Sequence, residues 1–112
     1  MSTEELTLGQ AQELRRGTVV LACLALLRAP QYGYALLVTL NDAGVTADGN
    51  TLYPLLRRLE KQGLLTSEWN TEEARPRKFY QVSPEGSRVL AGLVREWQEL
   101  VTSISRLVKE SG

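Results

Sequence analysis

The chain has 112 residues, 43% of them hydrophobic, and its thirteen basic and thirteen acidic side chains cancel. That length suits one small domain with a modest core and falls short of what most enzymes use to enclose a substrate. With zero net charge, any site for a polyanion has to be local.

The first fourteen residues hold three glutamates and nothing basic. Thr7 followed by Gln10 has the spacing of a capping box, and apolar residues continue to Leu27, which predicts a first helix from about Leu8 to Arg28 ended by Ala29-Pro30. Arg15 and Arg16 reach either backbone phosphate or solvent. Cys23, the sole cysteine, sits in the apolar run and has no partner for a disulfide, which suits a reducing compartment. No cation neighbours it to lower its pKa, so it reads as buried filler rather than a redox sensor. The run Val19 to Leu27 is too short to span a bilayer and lacks the layout of a signal peptide, so the expectation is a soluble cytoplasmic protein without a membrane partner.

A second helix is expected from Tyr32 to Ala43, with Leu36, Leu37 and Leu40 on one face and Gly44 as its stop. After the short turn "VTADG" comes a third, for which Asp48, Asn50 and Thr51 are all competent N-caps. Pro54 is tolerable in a first turn, and Gly63 ends the helix. "LLTSEW" and "KFYQVS" then read as strands around the polar loop "NTEEARPR". A last helix is expected from Pro84 to about Lys109, capped by Ser83.

On a helical wheel the third helix divides cleanly. Leu52, Leu55, Leu56 and Leu59 share one side; Asn50, Pro54, Arg57, Arg58 and Lys61 share the other, with Tyr53 at its edge. Alone, such a segment reads as a solvated face. Its context, a helix and tight turn before it and a hairpin ending in Arg75-Pro-Arg77-Lys78 after it, describes a winged helix-turn-helix with both basic clusters aimed at one duplex. The fold class is therefore mainly α with a small β-hairpin, divided into an N-terminal helix plus winged helix-turn-helix over residues 1–83 and a C-terminal dimerisation helix over 84–112. In the last helix Leu90, Val94, Trp97, Val101, Ile104 and Val108 recur every three or four residues, a stripe that a lone helix cannot bury.

The segments "LRRGTVVLACLALL", "APQYGYALLVTL", "NTLYPLLRRLEKQGLLTSEW" and "RPRKFYQVSPEG" together resemble the PadR-like transcriptional regulators, in order and spacing, from Leu14 to Trp97. Asn50 and Ala74 stand where that family often has glycine, and Tyr32 where histidine is frequent. The resemblance implies a dimeric regulator, usually a repressor, whose first and last helices form the dimer interface.

The expected DNA-binding residues are Tyr34, Asn50, Thr51, Tyr53, Pro54, Arg57, Arg58, Lys61, Arg75, Arg77 and Lys78, on a two-fold-symmetric operator. Tyr53 either bonds the DNA or packs on the wing, and Tyr34 either contacts phosphate or, with Gly33, serves as a turn and core anchor. If two copies pack symmetrically, Trp97 faces its own copy and, with Val94 and Val101, leaves a slot for a planar hydrophobic effector, an arrangement the resemblance implies for multidrug-sensing members. No histidine, carboxylate pair in apolar context, glycine-rich phosphate loop or metal-ligand cluster is evident, so neither enzymatic function nor a cofactor is expected. The rival reading is a winged-helix protein-interaction module whose basic helix meets an acidic protein.

Overall fold

A computed structural model describes residues 1–72 and 74–111, the last of these by its backbone alone. Glu73 of the expected hairpin loop and Gly112 of the expected C-terminal segment lie outside the described residues. Among the described residues five helices and three short strands follow one another: α1 (Thr3–Arg16), α2 (Thr18–Leu26), β1 (Gln31–Tyr32), α3 (Gly33–Asp42), α4 (Gly49–Lys61), β2 (Leu65–Asn70), β3 (Arg77–Val82) and α5 (Pro84–Ser111).

The single helix expected over Leu8 to Arg28 is two. α1 begins earlier, because Ser2 Oγ accepts from the Glu5 N–H and donates to the Glu5 carboxylate, both at 3.1 Å. Thr7, expected as the cap, lies inside the helix and donates to the Thr3 carbonyl. The break falls at Gly17, preceded by two arginines in the last turn, which is the composition of a helix C-terminus. α1 has no buried residue, so no apolar periodicity marks it in the sequence.

α3 starts at Gly33, because Tyr32 belongs to a strand the sequence did not suggest. Gln31 and Tyr32 pair with Tyr80 and Phe79, which makes the hairpin a three-stranded antiparallel sheet of order β1-β3-β2. Two residues are too few to show a period of two. α4 takes Asp48 as its N-cap, the carboxylate accepting from the Thr51 N–H at 2.9 Å. That choice moves Pro54 from the expected first turn into the second. The Asn50 carbonyl, four residues earlier, thus faces a proline that has no N–H to donate.

The core is built mainly of leucine. Leu24 and Leu27, Leu36 and Leu40, and Leu52 and Leu56 come from three successive helical segments and are fully buried, with Leu59, Leu65, Tyr80 and Leu90 nearly so. Each such leucine contributes about 1.5–3 kcal/mol as an upper estimate, so α4 is anchored by its inner face alone. Gly44 and Gly63 end α3 and α4 with φ of 89° and 79°, a left-handed geometry that favours glycine.

Ser83 joins the sheet to α5. Its N–H donates to the Leu64 carbonyl at 3.0 Å, its hydroxyl donates to the Gly63 carbonyl at 2.6 Å, and the same oxygen accepts from the Gly86 N–H at 2.9 Å. Gly86 is obligatory here, since a Cβ would lie 2.0 Å from the Leu64 carbonyl oxygen. α5 has 28 residues, about 42 Å of helix. Its first turns pack Val89, Leu90, Leu93 and Val94 on the core, while every residue from Arg95 to Glu110 is exposed. The boundary expected at residue 84 falls at the first residue of α5, but the first turns of that helix belong to the same core as the elements before it.

Candidate nucleic-acid interface

The face of α4 opposite the buried leucines carries Asn50, Thr51, Pro54, Arg57, Arg58 and Lys61, all exposed. Among the described residues, ion pairs hold Arg16, Lys78 and Arg88, and none holds Arg57, Arg58, Lys61 or Arg75. These four cations have no ion-pair partner among the described residues and are available to an anion.

Two side chains set how α4 meets α3. Asn41, at the end of α3, donates to the Leu37 and Ala47 carbonyls and accepts from the Ala47 N–H at 3.2 Å, which closes the turn between the helices. Tyr53 is half-buried and its ring sits between two glycines: a Cβ at Gly33 would meet one ring edge at 3.1 Å and a Cβ at Gly49 the other edge at 2.9 Å. The ring is thus a wedge between the N-termini of α3 and α4, and it borders the same cleft as Arg77, Lys78 and Tyr80 of β3. Tyr34 projects from the start of α3 and is 72% exposed. Arg15 is engaged elsewhere, donating to the Gly44 carbonyl at 2.9 Å, and Arg16 pairs with Glu13.

In the wing, register sorts the basic residues. Trp69 opposes Lys78 and Ser67 opposes Tyr80, so these four side chains share one face of β2 and β3; Arg77 opposes Asn70 on the other. Arg75, at the tip, is exposed. The Arg77 guanidinium lies 3.9 Å from the centre of the Tyr32 ring, a cation–π stack. The Tyr32 hydroxyl in turn accepts from the Asn70 side chain at 2.7 Å. Lys78 reaches back to α4 and pairs with Glu60 at 3.3 Å, and the same carboxylate accepts from the Ser67 hydroxyl. The Ser67 hydrogen bond first, then Lys78, holds the Glu60 carboxyl below the usual range. Between these elements lies an open cleft of about 280 Å³ lined by Tyr32, Tyr34, Tyr53, Arg77, Lys78 and Tyr80, among others.

Sequence reasoning did not single out Asn41, Glu60 or Ser67. Their polar side chains carry no motif of their own, and only the fold brings their partners within reach.

Trp97, Val101 and Ile104 are each about half exposed along the free part of α5, and Leu6, Leu8 and Leu14 are exposed on α1; Val94 is half-buried against the core. Burial pushes the Cys23 thiol up to about 12, so it stays protonated and unreactive. Among the described residues no cluster of ligand-type side chains suits a metal ion.

Known proteins share this arrangement. The transcriptional regulator PadR-like family matches over residues 20–92. Transcriptional regulator Rv3488 of Mycobacterium tuberculosis (strain ATCC 25618 / H37Rv) is 36% identical over 73 residues, 65% of this chain and 68% of that protein. The crystal structure of a PadR family transcriptional regulator from Eggerthella lenta DSM 2243 is similar at 46% identity and a TM-score of 0.90, covering 94% of each chain. A transcriptional regulator from Clostridium thermocellum, 29% identical, superposes with a TM-score of 0.77 over 86% of this chain and 98% of its own. A winged helix-turn-helix whose α4 arginines have no ion-pair partner among the described residues, and these likenesses along most of its length, lead to one conclusion: the chain belongs to the PadR-like family of DNA-binding transcriptional regulators and is not an enzyme.

Proposed function

We propose that this regulator is a cytoplasmic, homodimeric repressor that binds a two-fold-symmetric operator and is released by a small effector. The observation that carries the DNA reading is the charge asymmetry of α4. One face is core, and the other presents Arg57, Arg58 and Lys61 without ion-pair partners among the described residues. In the major groove Arg57 or Arg58 contacts base edges or phosphates, Lys61 contacts mainly phosphate, and Asn50, Thr51 and Pro54 lie at the same surface. Tyr34 and Tyr53 flank it at the start of α3, and Arg75 and Arg77 of the wing follow the backbone.

The dimer reading rests on the exposed apolar side chains of α1 and of α5 beyond Val94, which a second copy would cover. Residues 1–83 then hold the DNA and 84–112 the partner, with the first turns of α5 common to both. Trp97, flanked by Val94 and Val101, is the proposed effector contact, and a planar hydrophobic molecule there would act by changing the distance between the two α4 helices. No described helix is long and apolar enough to cross a membrane.

Selection of duplexes from a random pool by the purified protein tests the central claim. The expected result is a palindromic site with affinity falling steeply as salt rises. No enriched sequence, together with capture of acidic proteins by the same basic face, would favour a protein-interaction module instead. For the effector, planar aromatic cations are titrated against tryptophan fluorescence, with Trp97→Phe as control. Equal quenching of both proteins and undiminished operator binding would reduce Trp97 to interface packing.

A further inference from the structure

We propose that Glu60 and Lys78 are positioning residues for DNA binding: with Ser67 they latch the wing to α4, and Lys78 directs its charge to Glu60 rather than to a phosphate. The proposal rests on the reading of α4 and the wing as one DNA-binding surface.

Glu60 and Tyr53 are seven residues apart and share a flank of α4. Tyr53 sets that helix against α3, and Glu60 sets it against the sheet. Along the inner face of β2, Leu65 is buried at the root of the hairpin and Trp69 is 63% exposed. Ser67 lies between them and ties β2 to Glu60 of α4 partway along the hairpin, where the bond governs the angle of the wing. Lys78 is a diagonal neighbour of Ser67 on the same face and grips the same carboxylate from β3.

The pair differs from the other two ion pairs among the described residues. Arg16–Glu13 and Arg88–Glu85 join neighbours three apart on one helix, with side chains 58% to 75% exposed. Lys78 and Glu60 come from separate elements and are only 28% and 33% exposed. The ammonium also lies 5.2 Å from the Tyr80 ring, so it is held from two sides. The pairing has an electrostatic consequence. A bare carboxylate among Arg57, Arg58 and Lys61 would repel the phosphates those residues attract; neutralised by Lys78, it does not.

Two measurements test this. Without DNA, Trp69 in a Trp97→Phe background reports wing motion by time-resolved fluorescence anisotropy. Glu60→Gln and Lys78→Met should each increase its local motion, the double variant no more than either, and Lys78→Arg should restore it. On the selected operator, each single variant should lose roughly fivefold in discrimination against random duplex, again without summing, and Lys78→Met should keep the wild-type salt slope. Unchanged Trp69 motion in both variants overturns the latch. A Lys78→Met slope smaller by about one, additive with the effect of Glu60→Gln, makes Lys78 a phosphate contact and also overturns it. If the wild type binds no duplex, the DNA reading fails while the anisotropy result still decides the latch. Thermal unfolding of each variant verifies that it is folded.

Discussion

Single side chains and single hydrogen atoms set the tolerances of this molecule. At Gly86 the start of α5 passes so close to the Leu64 carbonyl that a methyl group would sit 2.0 Å from its oxygen. Gly86→Ala should therefore destabilise by about 1–3 kcal/mol, read from urea midpoints. Gly9, inside α1, is the matched control, since a methyl group added there would meet nothing within 4 Å. Gly9→Ala should stabilise by about 0.5–1 kcal/mol, because glycine is costly in a helix interior. Glu60 supplies a pH dependence of definite sign. Its carboxyl is held below the ordinary range by Ser67 and Lys78, so its contribution is complete above the unfolded-state pKa and is lost as pH falls through the lower folded-state value. The difference in urea midpoint between wild type and Glu60→Gln should thus be largest near neutrality and shrink in acid. A difference that grew in acid would reverse the assignment.

At the scale of elements, α4 and the wing divide the proposed work. The four buried leucines of α4 fix it without help from its arginines, so Arg57→Ala and Arg58→Ala should leave the unfolding temperature nearly unchanged. Each should cost about 1–3 kcal/mol of operator affinity where the side chain reads a base. Unaltered affinity in the folded double variant would remove these residues from the site. Arg75, at the tip of a polar loop, should behave differently: Arg75→Ala should lower affinity for all sequences alike and reduce the salt slope by about one. A change in base preference at constant slope would make the wing a reader of sequence. The faces of α4 were legible in advance because four leucines at helical spacing admit one orientation. β1 was not, because its two residues acquire their partners only when Phe79 and Tyr80 arrive from far along the chain. The split at Gly17 was signalled by its arginines and glycine but was masked by the apolar run that follows.

The whole molecule is elongated, 57 Å along its longest axis, because α5 leaves the core after Val94. Removing residues 95–112 keeps Leu90 in place and takes away the exposed stripe. The product should stay folded, sediment as a monomer, and lose the ability to hold two half-sites about one helical turn apart. A shortened chain that still sediments as a dimer would assign the interface to α1. What the sequence determined by itself is whatever local periodicity and capping encode: the order of helices and hairpin, the inner and outer faces of α4, the apolar stripe of α5, and the likeness to PadR-like regulators. What only the tertiary structure decided is which polar groups meet across elements. Tyr53 against two glycines, Lys78 on Glu60, Arg77 on Tyr32 and Arg15 on the Gly44 carbonyl all depend on side chains distant in sequence. Composition gives such residues the same charge whether they end at a phosphate or a carboxylate; the packing of leucines beneath them fixes which one is within reach.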